Sequence, residues 1–494
     1  MVLSTLLFLT GEAVYRILCK GILIIVALIL FLLLIAVIRT LLIKPTAAKT
    51  AAIDYPKDDR SMEYAKKLSK MIQCETISSR YENDISKFRK LHAVLEELYP
   101  SVHNKCEKYE INGNLLFCLK GKGKAEPILL MSHQDVVEAT GTWEEDPFSG
   151  LIKDGVIWGR GTVDTKGSLS CILQAVEELI ESGYEPEGDV YIASSCTEEF
   201  SGEGAPSIVA FLKQRGVKLA MLVDEGGMIV EEPLGGVKGL YAMVGVLEKG
   251  YGDIKFTARS NGGHASAPGR NTPLVRLGRF MTEMEKRNPF RKEFNPTVKE
   301  MFHRLAPNTD FGLRLVFANL WLFAPLLKRV MRRINSTGAA LLQTTMAFTT
   351  AKGSNGLNVL PQEAYVTANM RFIPHQGTEE SIELVTKLAR KYDIETEVIY
   401  KDYPCPVVDY KGEAFGKVEK AIEKLFPKVG VVPYVMTGGT DAKYFSDICE
   451  NCIRFAPLYI NKQQYASIHG LNENLSVEVL SKAVDFYKEI VYNM

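Results

Sequence analysis

Six stretches of this sequence place acids, histidines or both where chemistry could be done. Ser132-His133-Gln134-Asp135 follows the apolar run PILLM at 127–131, and Cys196-Thr197-Glu198-Glu199 follows DVYIASS at 189–195. Asp224-Glu225 follows LAMLV at 219–223, and Thr440-Asp441 follows PYVMTGG. The glycine-rich GRGTVDTKG at 159–167, which contains Asp164, opens a helical pattern, and His469 stands in the late segment SIHGLNEN. Ligands of open α/β sheets bind beyond the carboxyl ends of the strands, so polar groups that follow apolar strands are the ones to weigh. Glu198 and Glu199 are adjacent acids, and packing them into one crevice is costly unless a cation offsets the repulsion. Histidine, aspartate and glutamate without cysteine suit zinc, cobalt or manganese, and one bridging carboxylate holds a pair of such ions about 3.5 to 4 Å apart. Each piece alone has a plain structural explanation. GRGTVDTKG lacks G-K-[ST] at P-loop spacing, so its glycines serve a tight turn more simply than a phosphate cradle. Their placement at the ends of several strands of one sheet is what points to a metal site.

The elements that must position these residues follow from periodicity. A helical pattern at 61–72 puts Ala65, Leu68 and Ile72 on one face. From there to about 247, short apolar strands alternate with amphipathic helices at 169–182 and 207–214, which predicts a mostly parallel sheet flanked by helices. Residues 248–403 read as strand, helix, two strands, helix, strand, the β-α-β-β-α-β pattern of a ferredoxin-like α+β unit. Residues 404–494 return to helix, strand and helix, with VVPYV at 431–435. The fold class is therefore α/β, with a catalytic part at 58–247 and 404–494 interrupted by an inserted domain at 248–403.

The chain has 494 residues, 46% of them hydrophobic, enough for two units that each bury a core. Its 59 basic residues equal its 59 acidic ones, so no basic surplus exists to neutralise a phosphate backbone, and nucleic acid is excluded as a partner. Nine scattered cysteines do not form a disulfide scaffold, and Cys449 and Cys452 read as ordinary packing because no second pair stands at zinc-finger spacing. Residues 21–38, GILIIVALILFLLLIAVI, are free of charge and long enough to cross a bilayer, bracketed by Arg16, Lys20 and Arg39. No small-residue cleavage site follows, so residues 1–45 read as an uncleaved single-pass anchor joined to the soluble part by a Pro/Ala/Lys linker at 45–58. The basic residues on its two sides balance, which leaves the orientation open.

The series SHQDVV, DPFSGLIKDGVIWGRGTVDTKG, TEEFSGEGA, VDEGG, GGHAS and MTGGTDA, with the late His469, resembles the metallopeptidase family of aminoacylase, carboxypeptidase S and succinyl-diaminopimelate desuccinylase. The motifs occur in the family's order from about residue 60 to the end. The likeness is greatest to carboxypeptidase S and the secreted N-acyl amino acid hydrolases, which share the long stretch seen here at 290–340. The resemblance implies a zinc-peptidase-like catalytic domain with an inserted lid and two zinc ions, with cobalt or manganese as alternatives. One ion would be held by His133 and Asp224, the other by Glu199 and His469, with Asp164 bridging both. Asp135 would accept from the His133 ring and fix its tautomer. Glu198 would be the general base on the attacking water and then return the proton to the leaving nitrogen.

The same resemblance makes His264, in Asn-Gly-Gly-His-Ala-Ser, a lid histidine that reaches the site, often from the partner subunit of a homodimer. Asn358 in GLNVLP and Arg371 in NMRFIP match substrate-binding lid positions, and Arg371 suits a two-pronged grip on a carboxylate. The expected reaction is hydrolysis of an amide bond adjacent to a free carboxylate, in an N-acyl amino acid or a short peptide. The alternative is a membrane-tethered binding protein that kept the fold without catalysis, for which Glu198 and five metal ligands would be superfluous. Likeness to secreted and lumenal members favours the non-cytosolic side of the membrane. Residues 313–333 are apolar and then strongly basic, fitting a membrane surface, an acyl-chain pocket or internal packing equally.

Overall fold

The computed structural model describes residues 2–44, 53–56, 59–82, 84–334 and 336–494, so the linker read at 45–58 lies mostly outside the described residues. Along the chain the first strands are β1 (Glu107–Ile111), β2 (Asn114–Leu119), β3 (Ile128–Met131), β4 (Val190–Ser194), β5 (Met221–Asp224), β6 (Ile229–Glu231) and β7 (Leu240–Glu248). Four more, β8 (Gly250–Arg259), β9 (Thr345–Lys352), β10 (Glu363–Phe372) and β11 (Glu395–Lys401), form a sheet of their own. The last three, β12 (Gly430–Met436), β13 (Cys452–Arg454) and β14 (Tyr459–Ile460), rejoin the first set in a ten-stranded sheet.

That sheet runs β1-β2-β4-β3-β5-β13-β7-β6-β14, with β12 also paired to β7. Strands β4, β3, β5 and β13 are parallel neighbours, but β2 is antiparallel to β1 and β4, and β7 is antiparallel to β6 and β13. Since β12 on β7 and β14 on β6 are also parallel, parallel pairing remains the commoner kind, as the sequence predicts, but the sheet is mixed, with β2 and β7 running against their neighbours. The reason is local at one edge. Asn112 and Gly113, both at positive φ, join β1 to β2 as a two-residue turn, and such a turn can only make an antiparallel pair.

Both faces of the central strands are covered. Ile128 and Leu130 point into the core beneath α2 (Arg60–Ile72), α3 (Lys166–Glu181) and the C-terminal helix Val479–Tyr492. Leu129 and Met131 point the other way, against Ile208 and Leu212 of α4 (Gly204–Gln214). Alternate side chains of a strand face opposite sides, so an unbroken apolar run marks a strand buried twice. Truncating Leu130, which is fully buried, would cost about 2–5 kcal/mol.

The separate sheet runs β9-β10-β8-β11, all antiparallel, with its first strand between the third and fourth. One face of β10 is buried at every second residue, against Leu277 and Phe280 of α5 (Pro273–Lys286) and Val385 of a helix at Thr378–Arg390. The chain begins with helix α1 (Val2–Leu42), in which Leu18–Leu42 is long and apolar enough to cross a membrane, a property anchors share with signal sequences.

Candidate metal centre

Parallel pairing of β3 with β4 and β5 puts the carboxyl ends of all three at one edge. His133, the Glu198-Glu199 turn and Asp224-Glu225 are carried there by the three strands. Two loops close over them. One is the turn before α3, where Gly161 has φ +91 and a Cβ would stand 2.9 Å from Val136 Cγ1, so only glycine fits both the backbone and the packing. The other carries His469, a non-glycine residue at φ +57, the sparsely populated left-handed region in which functional residues are often held.

Asp164 is the hub. Its Oδ1 lies 3.0 Å from His133 Nε2 and its Oδ2 3.0 Å from His469 Nε2. His469 Nε2 is also 3.0 Å from Glu199 Oε2. His133 Nε2 faces Glu198 Oε2 and Glu225 Oε1, each at 3.9 Å. Two overlapping sets result, His133 with Glu198 and Glu225, and His133 with Asp164 and Glu199, each with its ligand atoms within 4.8 Å of one another.

The electrostatics follow from the crowding of these groups. Burial raises the Glu198 carboxyl, Asp441, Glu225 and Glu199 push it further while His133 opposes, and it is held well above the usual range. Glu225 is raised in the same way by burial and then by Asp164. Asp441 is pushed up to about 7 by burial and then by Asp224. Burial works against ionising Asp164, yet His133 and His469 hold it below the usual carboxylate range. His469 is raised to about 10 by its contacts with Asp164 and Glu199. His133 is raised despite burial by Asp135 and Asp164. Acids this crowded hold protons on the protein's own terms, and divalent cations would displace those protons and relieve the repulsion. The oxygen and imidazole donors, with no thiol among them, fit zinc, cobalt or manganese.

Supporting contacts fix these side chains. His133 Nδ1 lies 3.0 Å from the Asp135 carbonyl and 3.4 Å from its carboxylate, so the main chain makes the shorter contact. The Asp135 carboxylate instead accepts from Ser78 Oγ at 2.6 Å and from the main-chain N–H groups of Glu199 and Glu198 at 3.1 and 3.3 Å. It thus anchors the turn that carries both glutamates. Ser195 donates to Asp441 in the same region.

Asp224 differs from its expected place. Its two oxygens accept from Glu225 N and Ala442 N, each at 2.9 Å, and it is Glu225 that faces His133. The sequence offered both acids in VDEGG. Asp224 ends β5 and is turned toward the main chain at Ala442, which frees Glu225 for the cluster. Glu473 was also missed. Its Oε1 accepts from the main-chain N–H groups of Gly161, Val163 and Asp164, and its Oε2 from Arg160 at 2.7 Å. Its position four residues after His469 was the only signal.

The three expected substrate residues lie on the second sheet and on a separate two-stranded pairing and the turn before it. His264 is exposed on a two-stranded pairing of Gly263–His264 with Val359–Leu360, its Nδ1 2.7 Å from Ser266 Oγ. The Asn358 carbonyl accepts from Ala265 N at 2.9 Å, which ties the two segments together. Arg371 on β10 lies 4.6 Å from the Tyr251 ring centroid. Among the described residues none of the three makes a hydrogen bond or ion pair with the Asp164 cluster.

Residues 129–493 match the model of peptidase family M20/M25/M40. The human N-fatty-acyl-amino acid synthase/hydrolase PM20D1 is 34% identical over 455 residues, 89% of each chain. Probable carboxypeptidase S-like 2 of Dictyostelium discoideum is 33% identical over 87% of this chain and 85% of its own length. Among solved structures, the M20 family metallo-carboxypeptidase Sso-CP2 of Sulfolobus solfataricus superposes with a TM-score of 0.64, covering 87% of this chain and 98% of that one at 17% identity.

Proposed function

The chain belongs to peptidase family M20/M25/M40, and from that membership and the Asp164 cluster we propose a two-metal hydrolase that cuts an amide bond beside a free carboxylate. It is an enzyme, a metal-dependent amide hydrolase, so the reading as a binding module without catalysis falls away. The observation that carries the finer reading is Asp164, whose two oxygens each meet a different histidine at 3.0 Å. A carboxylate so placed is suited to bridge two ions, one shared with His133 and Glu225, the other with His469 and Glu199. Bound metal ions would supply an activated water and a polarised carbonyl.

The chain's own residues do the rest. Glu198, half-buried beside His133, takes a proton from the attacking water and returns it to the departing nitrogen. Its raised affinity for a proton suits that exchange. Asp135 holds the Glu198-Glu199 turn by its two N–H groups and so sets the position of the base. The second sheet acts as a lid. Arg371 grips the substrate carboxylate, and His264 and Asn358 complete the site when the lid closes, with His264 supplied by the same chain or by a second copy in a homodimer. The substrate is an N-acyl amino acid or a short peptide, consistent with the names of the two relatives. Zinc is the resident metal, and α1 holds the enzyme on a membrane. The test is to incubate the full-length protein, loaded with zinc, with a panel of N-acyl amino acids, dipeptides and their carboxamides and to identify products by mass. Cleavage that ignores the free carboxylate would refute the substrate class.

A further inference from the structure

Helix α1 is not free along its whole length. Every residue from Ile22 to Phe31 is exposed, whereas Leu33, Ala36, Val37 and Thr40, spaced by three and four residues and so on one face, are partly or wholly covered. The contact is with α6 (Phe311–Phe317) and the turn into α7 (Leu320–Ile334). At its centre is Asn319, which is fully buried. Its Nδ2 donates to the Ala36 carbonyl and to Thr40 Oγ1, both at 3.1 Å, and its Oδ1 accepts from Arg39 Nε at 3.2 Å and Trp321 Nε1 at 3.1 Å. One side chain thus meets three residues of α1. This is an integral contact of the fold, and a helix removed as a signal sequence would leave it stripped.

The length of α1 then sets the depth of α6 and α7. Its uncharged run, residues 21–38, rises roughly 27 Å at 1.5 Å per residue, against about 30 Å of bilayer hydrocarbon. Nothing is left over, so Ala36 and Val37 lie within the edge of the hydrocarbon and Arg39 at the headgroups. Whatever packs on Ala36 lies at the same level. The outward residues of α6 and α7 suit that level. Phe311, Trp321 and Leu326 are 49, 51 and 58% exposed, and α7 passes from LWLFAPLL to Lys328 and Arg329. The two helices meet at 102°, so they form a bent hairpin and not a second straight span. An aromatic and aliphatic face followed by basic residues is the pattern of a helix lying in the interface, and Trp321 satisfies its indole N–H internally while leaving its ring outward.

We propose that α6 and α7 form a second membrane element, embedded beside the C-terminal end of α1, and that their occupant is the lipid leaflet in which α1 ends. The catalytic part is then held against the bilayer at two points. The proposal rests on the reading of α1 as a membrane anchor and is independent of the hydrolytic one.

The test uses the full-length protein reconstituted in phosphatidylcholine vesicles with plain or mid-chain-brominated lipids, which quench tryptophan on contact. The chain has three tryptophans, Trp143, Trp158 and Trp321. Brominated lipid should quench part of the wild-type emission, Trp321→Phe should abolish that quenching, and Leu326→Trp added to Trp321→Phe should restore it. The added tryptophan keeps the test informative if Trp321→Phe loosens the hairpin. Wild-type emission indifferent to bromine, or quenching unchanged in Trp321→Phe, would overturn the proposal. Indifference together with a dimeric mass in detergent would assign the face to a second copy instead.

Discussion

Glu473 accepts a hydrogen bond from the main-chain N–H of Asp164 at 3.0 Å, although the two residues are 309 positions apart. The same oxygen takes the N–H groups of Val163 and Gly161, and Arg160 is its buried ion-pair partner. The loop that presents Asp164 is therefore shaped by an acid 309 positions further along the chain. Glu473→Ala leaves the Arg160 charge buried without its partner and should cost about 3–5 kcal/mol in urea unfolding, with metal content falling as Asp164 loosens. Glu473→Gln, which keeps an acceptor for the N–H groups, should recover part of both. Equal damage in the two variants would mean that the N–H contacts contribute little.

Glu198→Gln keeps the shape of the side chain and removes the carboxylate proposed as the base. Turnover should fall by roughly 10² to 10⁴ while metal content, measured by emission spectrometry on the dialysed protein, stays at the wild-type level. An active variant rules out the assigned role.

Glu225 and Asp224 separate by the same measurement. Glu225→Ala should lower the metal bound per chain, and Asp164→Ala should lower it further, since its two oxygens serve both histidines. Asp224→Asn should instead act on stability, because its contacts are the N–H groups of Glu225 and Ala442, by about 1–3 kcal/mol. If Asp224→Asn empties the site at unchanged stability, the assignment of Glu225 is wrong.

The metal-free protein should lose stability as pH rises between about 5 and 8. Glu198 and Glu225 bind protons more tightly folded than unfolded, and so do His133 and His469. Groups raised in this way stabilise fully below their unfolded values, about 4.3 and 6.5, and lose that contribution as pH climbs toward the folded ones. Asp164 is shifted downward, so its contribution changes only in stronger acid, and His92, His103 and His375, lowered by burial, oppose the trend within the window but are fewer than the raised groups. Zinc should counter the loss, by about 2.7 kcal/mol at a free concentration of 100 times Kd. Thermal melts with chelator at pH 5.5 and 8 check the sign. A chelated protein that melts higher at pH 8 contradicts it.

Arg371→Ala should raise KM and lower kcat/KM with metal content unchanged, because a guanidinium fork matches the two oxygens of a carboxylate. Converting the substrate carboxylate to an amide should harm the wild type to a similar degree. The two changes together should not add, since both delete one contact. Full additivity would place the carboxylate elsewhere.

How much of this was legible in advance follows from the range of the forces involved. The short apolar runs that end in His133, Glu198 and Asp224 declared themselves, since period and burial are local properties of a strand, and the family likeness supplied Asp164 and His469. The four strands at 248–403 and the two helices that pack on them were legible for the same reason, whereas the further helices between Pro296 and Ala340 were not. The direction of β2 and β7 was not, because an apolar run reads alike in a parallel and an antiparallel pair. The exchange of Asp224 for Glu225 was hidden too. Which of two adjacent acids faces His133 depends on the Ala442 N–H that meets Asp224 from 218 residues away. Glu473 looked like one more loop acid until folding placed it against three N–H groups of the Asp164 turn. Residues 313–333 left three readings open, and it is the packing of Asn319 on Ala36 and Thr40 that ties them to the end of α1. The sequence by itself determined which elements form and which residue types stand at their ends, because these depend on near neighbours. The tertiary structure alone decided which oxygen points at which histidine, because that depends on a hydrogen-bond partner brought from elsewhere in the chain.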